Sequence, residues 1–289
     1  MARIARHTRW APPCVERAVA TLLSVPSVEY EEGRHFHLLT REPGSRRADL
    51  PVWSSTPQAV RFDARGWGPV RKEEVPHVDG AFVLSHVLTP LECEQLSQLS
   101  EAMGYTMDAP VSLGRDIRRN ENCVWIADDT LWRPIWDRVA PYMPDAPPGW
   151  GAAVGLNQRW RLYKYGVDDI FKMHTDGAWP GSAVDSSGKL VRDFFGDRFS
   201  QLTFLMYLDA DYDGGETTFF IRNSDGTGEL HSVSVPQGSV LCFFHGNHQL
   251  SPLHEGSLVT RGVKRIVRSD VLYMLPGAPT AAQHTKSEL

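Results

Sequence analysis

The sequence predicts a mainly β domain with flanking helices (an α+β protein). Three short runs of alternating or continuous apolar residues, 201–208, 216–221 and 239–244, indicate strands. Turn-forming residues lie between them, namely Asp213-Gly-Gly215, Asn223-Ser-Asp-Gly226 and Pro236-Gln-Gly238. Short strands separated by such turns are typical of a β-barrel or sandwich, which brings residues that are distant in sequence close together.

The composition restricts the class of protein. The chain has 289 residues, enough for one large β domain with additions or for two small domains. Its hydrophobic content of 42% and charged content of 22% are those of ordinary globular proteins. The net charge of −5 and the lack of a long basic run argue against nucleic acid as a partner. No apolar run is long enough to cross a bilayer, so a membrane partner is not expected either.

The cysteines and the amino terminus predict a cytoplasmic protein. The first ten residues are basic but lack the apolar core of a secretory signal. The four cysteines, Cys14, Cys93, Cys123 and Cys242, are too scattered for a zinc module or a disulfide framework. Cys93 and Cys242 fall in apolar patterns and are expected to be small core residues.

Residues 1–75 are expected to form an amino-terminal extension of unknown role. Residues 13–23 have helical spacing of apolar positions, which predicts one short helix. Residues 41–62 are rich in Arg, Pro and Ser and are expected to form a connector or surface loop. At the other end, residues 276–289 are expected to be a flexible tail.

Two supporting helices are predicted within residues 80–145. After a short strand at 81–84, Thr89 is an expected helix cap, with a proline in the first turn and Glu92 three residues on. Gly104 can end this helix. A second helix is expected from about residue 129 to Pro141. Both helices should pack on the outside of the β domain.

His174 and Asp176 form the most informative pair in the sequence. In an extended backbone, residues two apart point to the same face, so both side chains can reach one point. His254, arriving from a distant strand, would add a second imidazole. Two imidazoles and one carboxylate on one side of a metal leave the opposite positions open, as in non-haem Fe(II) oxygenases.

Other histidines in the sequence could imitate this pattern. His77-Val-Asp79 has the same spacing, and His35 and His37 form a second close pair. His77, however, precedes one short apolar run and then a helix, instead of a series of strands. It is therefore not expected to bind metal.

Two loops carry candidate substrate contacts. Residues 118–125 are either a solvated charged loop entering a strand at Cys123, or a mobile segment that contacts substrate through Arg119 and Asn122. The long loop after Asp176 is a candidate lid, in which Trp179 either faces substrate or simply packs. Arg161 is a further substrate candidate.

The motif order resembles the catalytic domain of prolyl 4-hydroxylases. The matching residues are Tyr165, His174-x-Asp176, Leu202-Thr203, Met206-Tyr207-Leu208, Gly214-Gly-Glu-Thr217, His254-Glu-Gly256 and Lys264, ten residues after His254. This family consists of Fe(II)- and 2-oxoglutarate-dependent dioxygenases with a double-stranded β-helix (jelly-roll, cupin-like) core. The resemblance implies a catalytic domain at residues 76–275, with its jelly-roll core at 150–275.

The resemblance also implies roles for individual residues. His174, Asp176 and His254 would be the iron ligands, and Lys264 would pair with the distal carboxylate of 2-oxoglutarate. Arg268, four residues on, could take or support that role, or be a supporting or surface residue. The remaining positions that match the family are expected either to supply hydroxyls to the co-substrate or to pack in the barrel: Tyr165, Thr203 and Tyr207. His245 and His248 are expected off the metal.

The implied activity is hydroxylation of an unactivated C–H bond, with O2 as co-substrate, release of succinate and CO2, and ascorbate as a candidate reductant. The carboxylate of Asp176 favours hydroxylation over halogenation, because related halogenases lack it. The substrate could be a peptidyl residue, a free amino acid or another small molecule. Desaturation or cyclisation by the same cofactors, a zinc hydrolase and a non-catalytic jelly-roll binding protein are the alternatives.

Overall fold

Two sheets, of six and ten strands, account for most of the chain. The computed structural model describes residues 4–13, 29–63, 67–109, 114 and 116–278. In chain order its strands are β1 (Ile4–Trp10), β2 (Phe36–Glu42), β3 (Leu50–Ser55), β4 (Arg71–Glu74), β5 (Phe82–Ser85), β6 (Arg118–Arg119), β7 (Glu121–Ile126), β8 (Ala153–Leu156), β9 (Arg159–Tyr165), β10 (Ile170–His174), β11 (Ala183–Val184), β12 (Leu190–Val191), β13 (Arg198–Tyr207), β14 (Tyr212–Gly214), β15 (Thr217–Arg222), β16 (Gly228–Val233), β17 (Val240–Phe244), β18 (Leu253–Gly256), β19 (Val259–Gly262) and β20 (Lys264–Met274). The helices are α1 (Pro90–Met103) and α2 (Asp129–Val139), followed by a 3-10 turn at Ala140–Tyr142.

The six-stranded sheet has the order β1-β16-β15-β18-β10-β6. The larger sheet has the order β2-β3-β7-β9-β20-β13-β17-β5-β4, with β8 paired to β20. From β9 onward, the strands β9, β13, β17 and β20 lie in the larger sheet, and β10, β15, β16 and β18 lie in the smaller one. This alternation between two sheets is the arrangement of a jelly roll, and it confirms the predicted fold class.

Each face of the larger sheet packs in a separate apolar layer. One layer joins the sheet to the helices, for example through Leu96 of α1, Ile135 of α2 and Phe204 of β13. The other layer joins it to the smaller sheet, for example through Leu205 of β13 and Phe219 of β15. The helices therefore support the sheet from outside, as predicted, and the space between the sheets is left for the site.

Helix α1 begins as its sequence predicts. The Thr89 hydroxyl accepts from the Glu92 backbone N–H (3.2 Å), and the Glu92 carboxylate accepts from the Thr89 N–H (2.8 Å). Gly104 follows the last helical residue with a positive φ of 88°. The buried Glu92 carboxylate also accepts from both terminal nitrogens of Arg138 (2.8 Å each) and so joins α1 to α2. The sequence patterns gave no sign of this ion pair.

The region before residue 76 contributes strands to both sheets. The expected connector over residues 41–62 instead contains β3, which pairs antiparallel with β2 and parallel with β7 in the larger sheet. β1 pairs parallel with β16 at the edge of the smaller sheet. The expected helix at 13–23 and the tail lie almost wholly outside the described residues. Within the described part of the chain, no helix is both long and apolar enough to cross a membrane.

Candidate metal centre

Two neighbouring strands of the smaller sheet hold the predicted ligands. His174 ends β10 and lies directly opposite His254 of β18 in the antiparallel register. Asp176 follows two residues later, with its carboxylate oxygens 3.8 Å from His174 Nε2 and 3.7 Å from His254 Nε2. One ligand atom from each residue lies within 4.8 Å of the others, and no other group of this kind occurs among the described residues. The three side chains predicted to bind metal therefore converge.

Both imidazoles are oriented by backbone carbonyls. Nδ1 of His174 donates to the Lys172 carbonyl oxygen (2.8 Å), and Nδ1 of His254 donates to that of Pro252 (3.2 Å). These contacts leave each Nε2 as the acceptor that faces Asp176. A hydrogen bond on the second ring nitrogen is the usual support of a metal-binding histidine.

The protonation states also suit metal binding. Burial, aided by the neighbouring His254, lowers the pKa of His174 to about 4, and burial lowers the pKa of His254 as well. Both rings are thus neutral near pH 7. Burial raises the pKa of Asp176, but the Arg268 guanidinium and the neighbouring His254, His174 and His245 together outweigh this effect and hold that pKa below its usual range. The set offers two neutral imidazoles and one carboxylate.

Asp176 is fixed through both of its oxygens. Nη1 of Arg268 donates to Oδ1 (2.5 Å), and the Thr203 hydroxyl donates to Oδ2 (2.8 Å). Arg268 also donates to Asp270 Oδ1 (3.1 Å from Nη2). The structure therefore places Arg268 and Thr203 on the carboxylate ligand. Their predicted contacts with the co-substrate stay predictions.

A buried polar relay runs behind Asp176. His245 Nδ1 donates to the Thr203 hydroxyl (2.8 Å), and its Nε2 accepts from the Ser200 hydroxyl (2.9 Å). The Ser200 oxygen in turn accepts from the backbone N–H of Trp179 (2.8 Å). The sequence predicts His245 to lie off the metal. It lies in the core of this relay, where burial lowers its pKa and favours the neutral ring that the two bonds require.

Lys264 lies in the same cavity as the three ligands. Its side chain is buried, and its ammonium donates to the carbonyl oxygen of Gly215 (2.5 Å). No carboxylate of the described residues forms an ion pair with it. Burial lowers its pKa to about 8, opposed by the more distant charge of Glu216. A buried ammonium that lacks a counter-ion is costly, so this position suits an anionic ligand.

Two tyrosine rings surround the Lys264 ammonium. Tyr165 lies opposite Lys264 in the β9–β20 register, with its ring centroid 5.4 Å from Nζ. The Tyr207 ring centroid lies 5.1 Å from Nζ, and its hydroxyl is bonded to Thr217 Oγ1 (2.6 Å). Tyr165 and Thr217 line the cavity. The sequence prediction included Tyr165 and Tyr207 among the co-substrate contacts, and Thr217 only as part of a motif.

Gly214 and Gly215 form the turn that carries the Gly215 carbonyl oxygen, the acceptor of the Lys264 ammonium. Both have positive φ angles, 73° and 65°. A Cβ at Gly214 would lie 2.2 Å from the Leu258 carbonyl oxygen, and one at Gly215 would lie 3.1 Å from the Lys264 side chain. Only glycine therefore fits at Gly214, where the turn passes close to the backbone of Leu258 and Thr260.

The segment expected over the metal is partly a strand. Arg118 and Arg119 form β6, which pairs with β10 at Phe171 and Ile170. Asn122 is buried, and its side-chain oxygen accepts from Arg118 Nη2 (2.8 Å). Arg118, which the sequence patterns did not single out, stacks on the cavity wall. The substrate roles of Arg119 and Asn122 stay predictions.

The loop after Asp176 carries a small two-stranded sheet, β11 and β12. Trp179 is 39% exposed, and the Arg161 guanidinium lies 4.8 Å from the centroid of its ring. Arg161 also lies 3.8 Å from Asp270, so it joins the charges around Arg268. This places two of the substrate candidates in contact with each other.

The other histidines considered as candidates, His35, His77 and His248, pack against further aromatic rings. His77 stacks on His231, with ring centroids 5.2 Å apart, and His248 stacks on Phe244 at 3.9 Å. His35 packs edge-on against Tyr30. Among the described residues, neither His77 nor Asp79 belongs to a group of converging metal-ligand side chains; that they do not bind metal stays a prediction.

A scan against protein-family models finds no match, and a search of curated proteins finds none either. Among solved structures, the chain is similar to a viral collagen prolyl hydroxylase from Paramecium Bursaria Chlorella virus-1 in a 2OG complex. Identity is 14%, the TM-score is 0.42, and the match covers 68% of this chain and 96% of that one.

A prolyl-4-hydroxylase from Pseudomonas putida is similar at 16% identity and a TM-score of 0.42, over 66% of this chain and 92% of that one. A prolyl hydroxylase from Trichoplax adhaerens, in complex with a hypoxia inducible factor peptide fragment, is similar at 14% identity. Its TM-score is 0.41, and the match covers 73% of this chain and 88% of that one. These likenesses are distant.

Proposed function

We propose that this protein is an Fe(II)- and 2-oxoglutarate-dependent dioxygenase that hydroxylates an unactivated C–H bond. One observation carries the proposal: His174, Asp176 and His254 converge in a cavity that also holds a buried ammonium, Lys264, to which no carboxylate of the described residues is paired. A metal site alone would fit many reactions. The Lys264 ammonium in the same cavity favours a co-substrate that chelates the metal at one end and carries a carboxylate at the other.

The residues fit the implied metal. Two neutral imidazole nitrogens and one carboxylate oxygen on one side are the donor set of non-haem Fe(II) oxygenases, which keep further positions open for ligands. When bound, Fe(II) with 2-oxoglutarate and O2 supplies oxidation of a C–H bond coupled to decarboxylation of the co-substrate to succinate. His174, Asp176 and His254 would hold the metal.

The chain's own residues bind and orient the ligands. Lys264 would pair with the distal carboxylate of 2-oxoglutarate, and the adjoining Tyr165 and Thr217 offer hydroxyls to it. Arg268 and Thr203 hold Asp176 in one orientation through charge-assisted and neutral hydrogen bonds. The buried walls limit access of water to the reacting atoms, since Leu205 and Ile266 line the same cavity.

The substrate belongs to one of three classes: a peptidyl residue, a free amino acid or another small molecule. The loop after Asp176 begins at the metal ligand, and its backbone is tied to the relay through Trp179 and Ser200. We propose that it covers bound substrate. Ascorbate would serve as a reductant of the metal.

The test is an anaerobic titration of the metal-free protein with Fe(II) and 2-oxoglutarate, following the weak visible charge-transfer band of the chelate. The band should form in the wild type and require much more 2-oxoglutarate in Lys264→Ala. Lys189→Ala, which removes an exposed lysine, is the matched control and should behave as wild type. Failure of the band to form in the wild type would refute the proposal.

Product mass then separates the reaction types. Hydroxylation adds one oxygen to the substrate, whereas desaturation or cyclisation removes two hydrogens. Succinate formation without either change would indicate that the substrate was not the true one.

A further inference from the structure

Arg118 holds its guanidinium in a fixed position beside the metal centre. Its Nε donates to Asn120 Oδ1 (2.7 Å), and its Nη2 donates to Asn122 Oδ1 (2.8 Å). Both acceptors are neutral amides on buried asparagines. These bonds orient the fork of donors without neutralising its charge.

Two aromatic rings place the guanidinium at the cavity wall. Its central carbon lies 4.5 Å from the ring centroid of Tyr163 and 4.7 Å from that of Phe171. Both rings line the cavity, and the Phe171 ring stacks on the His174 imidazole at 3.5 Å. One aromatic ring therefore separates Arg118 from a metal ligand.

The two other arginines of the site have carboxylate partners, whereas Arg118, like Lys264, has none among the described residues. Arg268 pairs with Asp176 and Asp270, and Arg161 lies 3.8 Å from Asp270. Within the described ranges, no carboxylate lies within ion-pair distance of Arg118, and its Nη1 has no hydrogen-bond partner. The resulting positive potential acts on the Tyr163 hydroxyl. Burial raises the pKa of this hydroxyl, but Arg118, Arg161 and Arg268 together lower that pKa below its ordinary value.

Lys264 lines the cavity, and Arg118 lies beside it, against two of the rings that form its wall. Tyr165 lies against Lys264, and Tyr163, two residues earlier on the same face of β9, lies against Arg118. Positions two apart on a strand are separated by about 7 Å. The site therefore presents two cations that can receive two separate anionic groups.

We propose that Arg118 binds a carboxylate of the substrate, so that the substrate is a small molecule with a free carboxylate, such as a free amino acid. A planar guanidinium with a free terminal nitrogen matches a carboxylate in shape and charge. An internal residue of a peptide has no free backbone carboxylate to pair with a guanidinium. This inference rests on the proposed function, since it names the substrate class of the same site.

The experiment uses the full chain loaded anaerobically with Fe(II) and 2-oxoglutarate. The twenty L-amino acids and short aliphatic carboxylic acids are added one at a time, each beside its carboxamide, and perturbation of the charge-transfer band gives the dissociation constant. At least one acid should bind about tenfold or more tightly than its amide. Arg118→Gln should weaken the binding of that acid by about ten- to a hundredfold, the usual cost of a lost hydrogen bond to a charged group. The affinity for its amide should stay nearly unchanged.

Three controls separate the outcomes. Arg118→Lys keeps the charge but loses the planar fork of donors, so its affinity for the acid should lie between those of wild type and Arg118→Gln. Arg222→Gln, at an exposed arginine at the far end of β15, should match wild type. The Fe(II)–2-oxoglutarate band itself should be the same in all four proteins.

Three results would overturn the inference. The first is a normal band that no acid perturbs; the second is equal weakening of acid and amide in Arg118→Gln. The third is a band that Arg118→Gln weakens before any substrate is added, because Arg118 would then bind the co-substrate. If the band is absent from the wild type, it is the proposed function that fails.

Discussion

Strand β20 has two faces with opposite chemistry. Toward the helices it presents mainly apolar side chains, among them Val267, Val271 and Tyr273. Toward the smaller sheet it presents Lys264, Ile266, Arg268 and Asp270, of which three are charged and all are buried. Both sets come from one run of eleven residues, because side chains alternate between the faces of a strand.

The difference shows how this fold separates stability from ligand binding. The helix side gains its stability from apolar burial, for which the identity of each group matters less than its volume. The inner side buries charges, of which Arg268 is paired with Asp176 and Asp270, whereas Lys264 has no carboxylate partner among the described residues. Changes on the two faces should therefore have different effects on the protein.

The largest effect is expected on the inner side, from His254→Ala. This change removes one of three ligands, so stoichiometric Fe(II) binding should be lost. The fold should remain, because the His254 ring packs at a cavity wall against Phe219 and Phe243 and makes one hydrogen bond, to the Pro252 carbonyl. Metal content after anaerobic loading and far-UV circular dichroism measure the two properties. A variant that still binds one equivalent of Fe(II) tightly would contradict the assignment.

On the helix side, Phe204→Ala should lower the free energy of unfolding by about 3–5 kcal/mol, the usual cost of truncating a buried phenylalanine. Phe204 is fully buried between β13 and the helices. Urea unfolding measures the loss. The variant molecules that remain folded should bind Fe(II) as wild type does, and a matching loss of metal affinity would mean that the two faces are coupled.

Arg268→Gln should weaken Fe(II) binding by about ten- to a hundredfold, the usual effect of removing a partner that orients a metal ligand. Affinity of the metal-loaded protein for 2-oxoglutarate should change little. The reverse result, normal metal affinity with weak 2-oxoglutarate binding, would make Arg268 the co-substrate anchor instead of Lys264. Arg268→Lys, which keeps a charge beside Asp176 and Asp270, controls for loss of folding.

Lys264 should make 2-oxoglutarate binding sensitive to alkaline pH. Its pKa is lowered from 10.5 to about 8, and only the ammonium form attracts the carboxylate. Affinity should fall about tenfold per pH unit above about pH 8. The free energy of unfolding should instead rise with pH between about pH 8 and 10.5, because in this range the unfolded chain holds a proton that the folded chain has lost. Lys264→Arg should show a flat profile, and a wild type that is equally flat would remove Lys264 from the binding site.

The smallest effect is expected from Thr89→Ala, at the start of α1. Loss of the capping hydroxyl should lower the free energy of unfolding by about 1 kcal/mol. Metal and 2-oxoglutarate affinities should not change, since α1 packs on the outer face of the larger sheet. Thermal unfolding measures the shift. A loss as large as that of Phe204→Ala would show that the cap supports more than one helix end.

Features that depend on local chemistry could be predicted from the sequence. The cap at Thr89 and the shared face of His174 and Asp176 follow from neighbouring residues alone. β3 was missed, because Pro51 and the surrounding arginines and serines suppress the strand signal. That strand forms through pairing with β2 and with the distant β7.

Contacts that depend on register could not be predicted. Arg268 meets Asp176 only because β20 and the end of β10 come together in the folded barrel. Likewise, which of two adjacent arginines faces Tyr163 depends on the pairing of β6 with β10, where Arg118 lies opposite Phe171. The sequence prediction names Arg119 as a substrate candidate and does not single out Arg118. His245 was expected off the metal because the family pattern leaves it there, but its place in the relay depends on tertiary contacts.

The parallel pairing of β1 with β16 has a consequence for solubility. β1 covers the backbone edge of β16, which would otherwise present unpaired N–H and C=O groups at the border of the smaller sheet. Uncovered strand edges of this kind recruit strands from other chains. A chain that begins after residue 13 would keep every ligand of the metal centre and yet be prone to aggregation, so the first strand protects the molecule from its own copies.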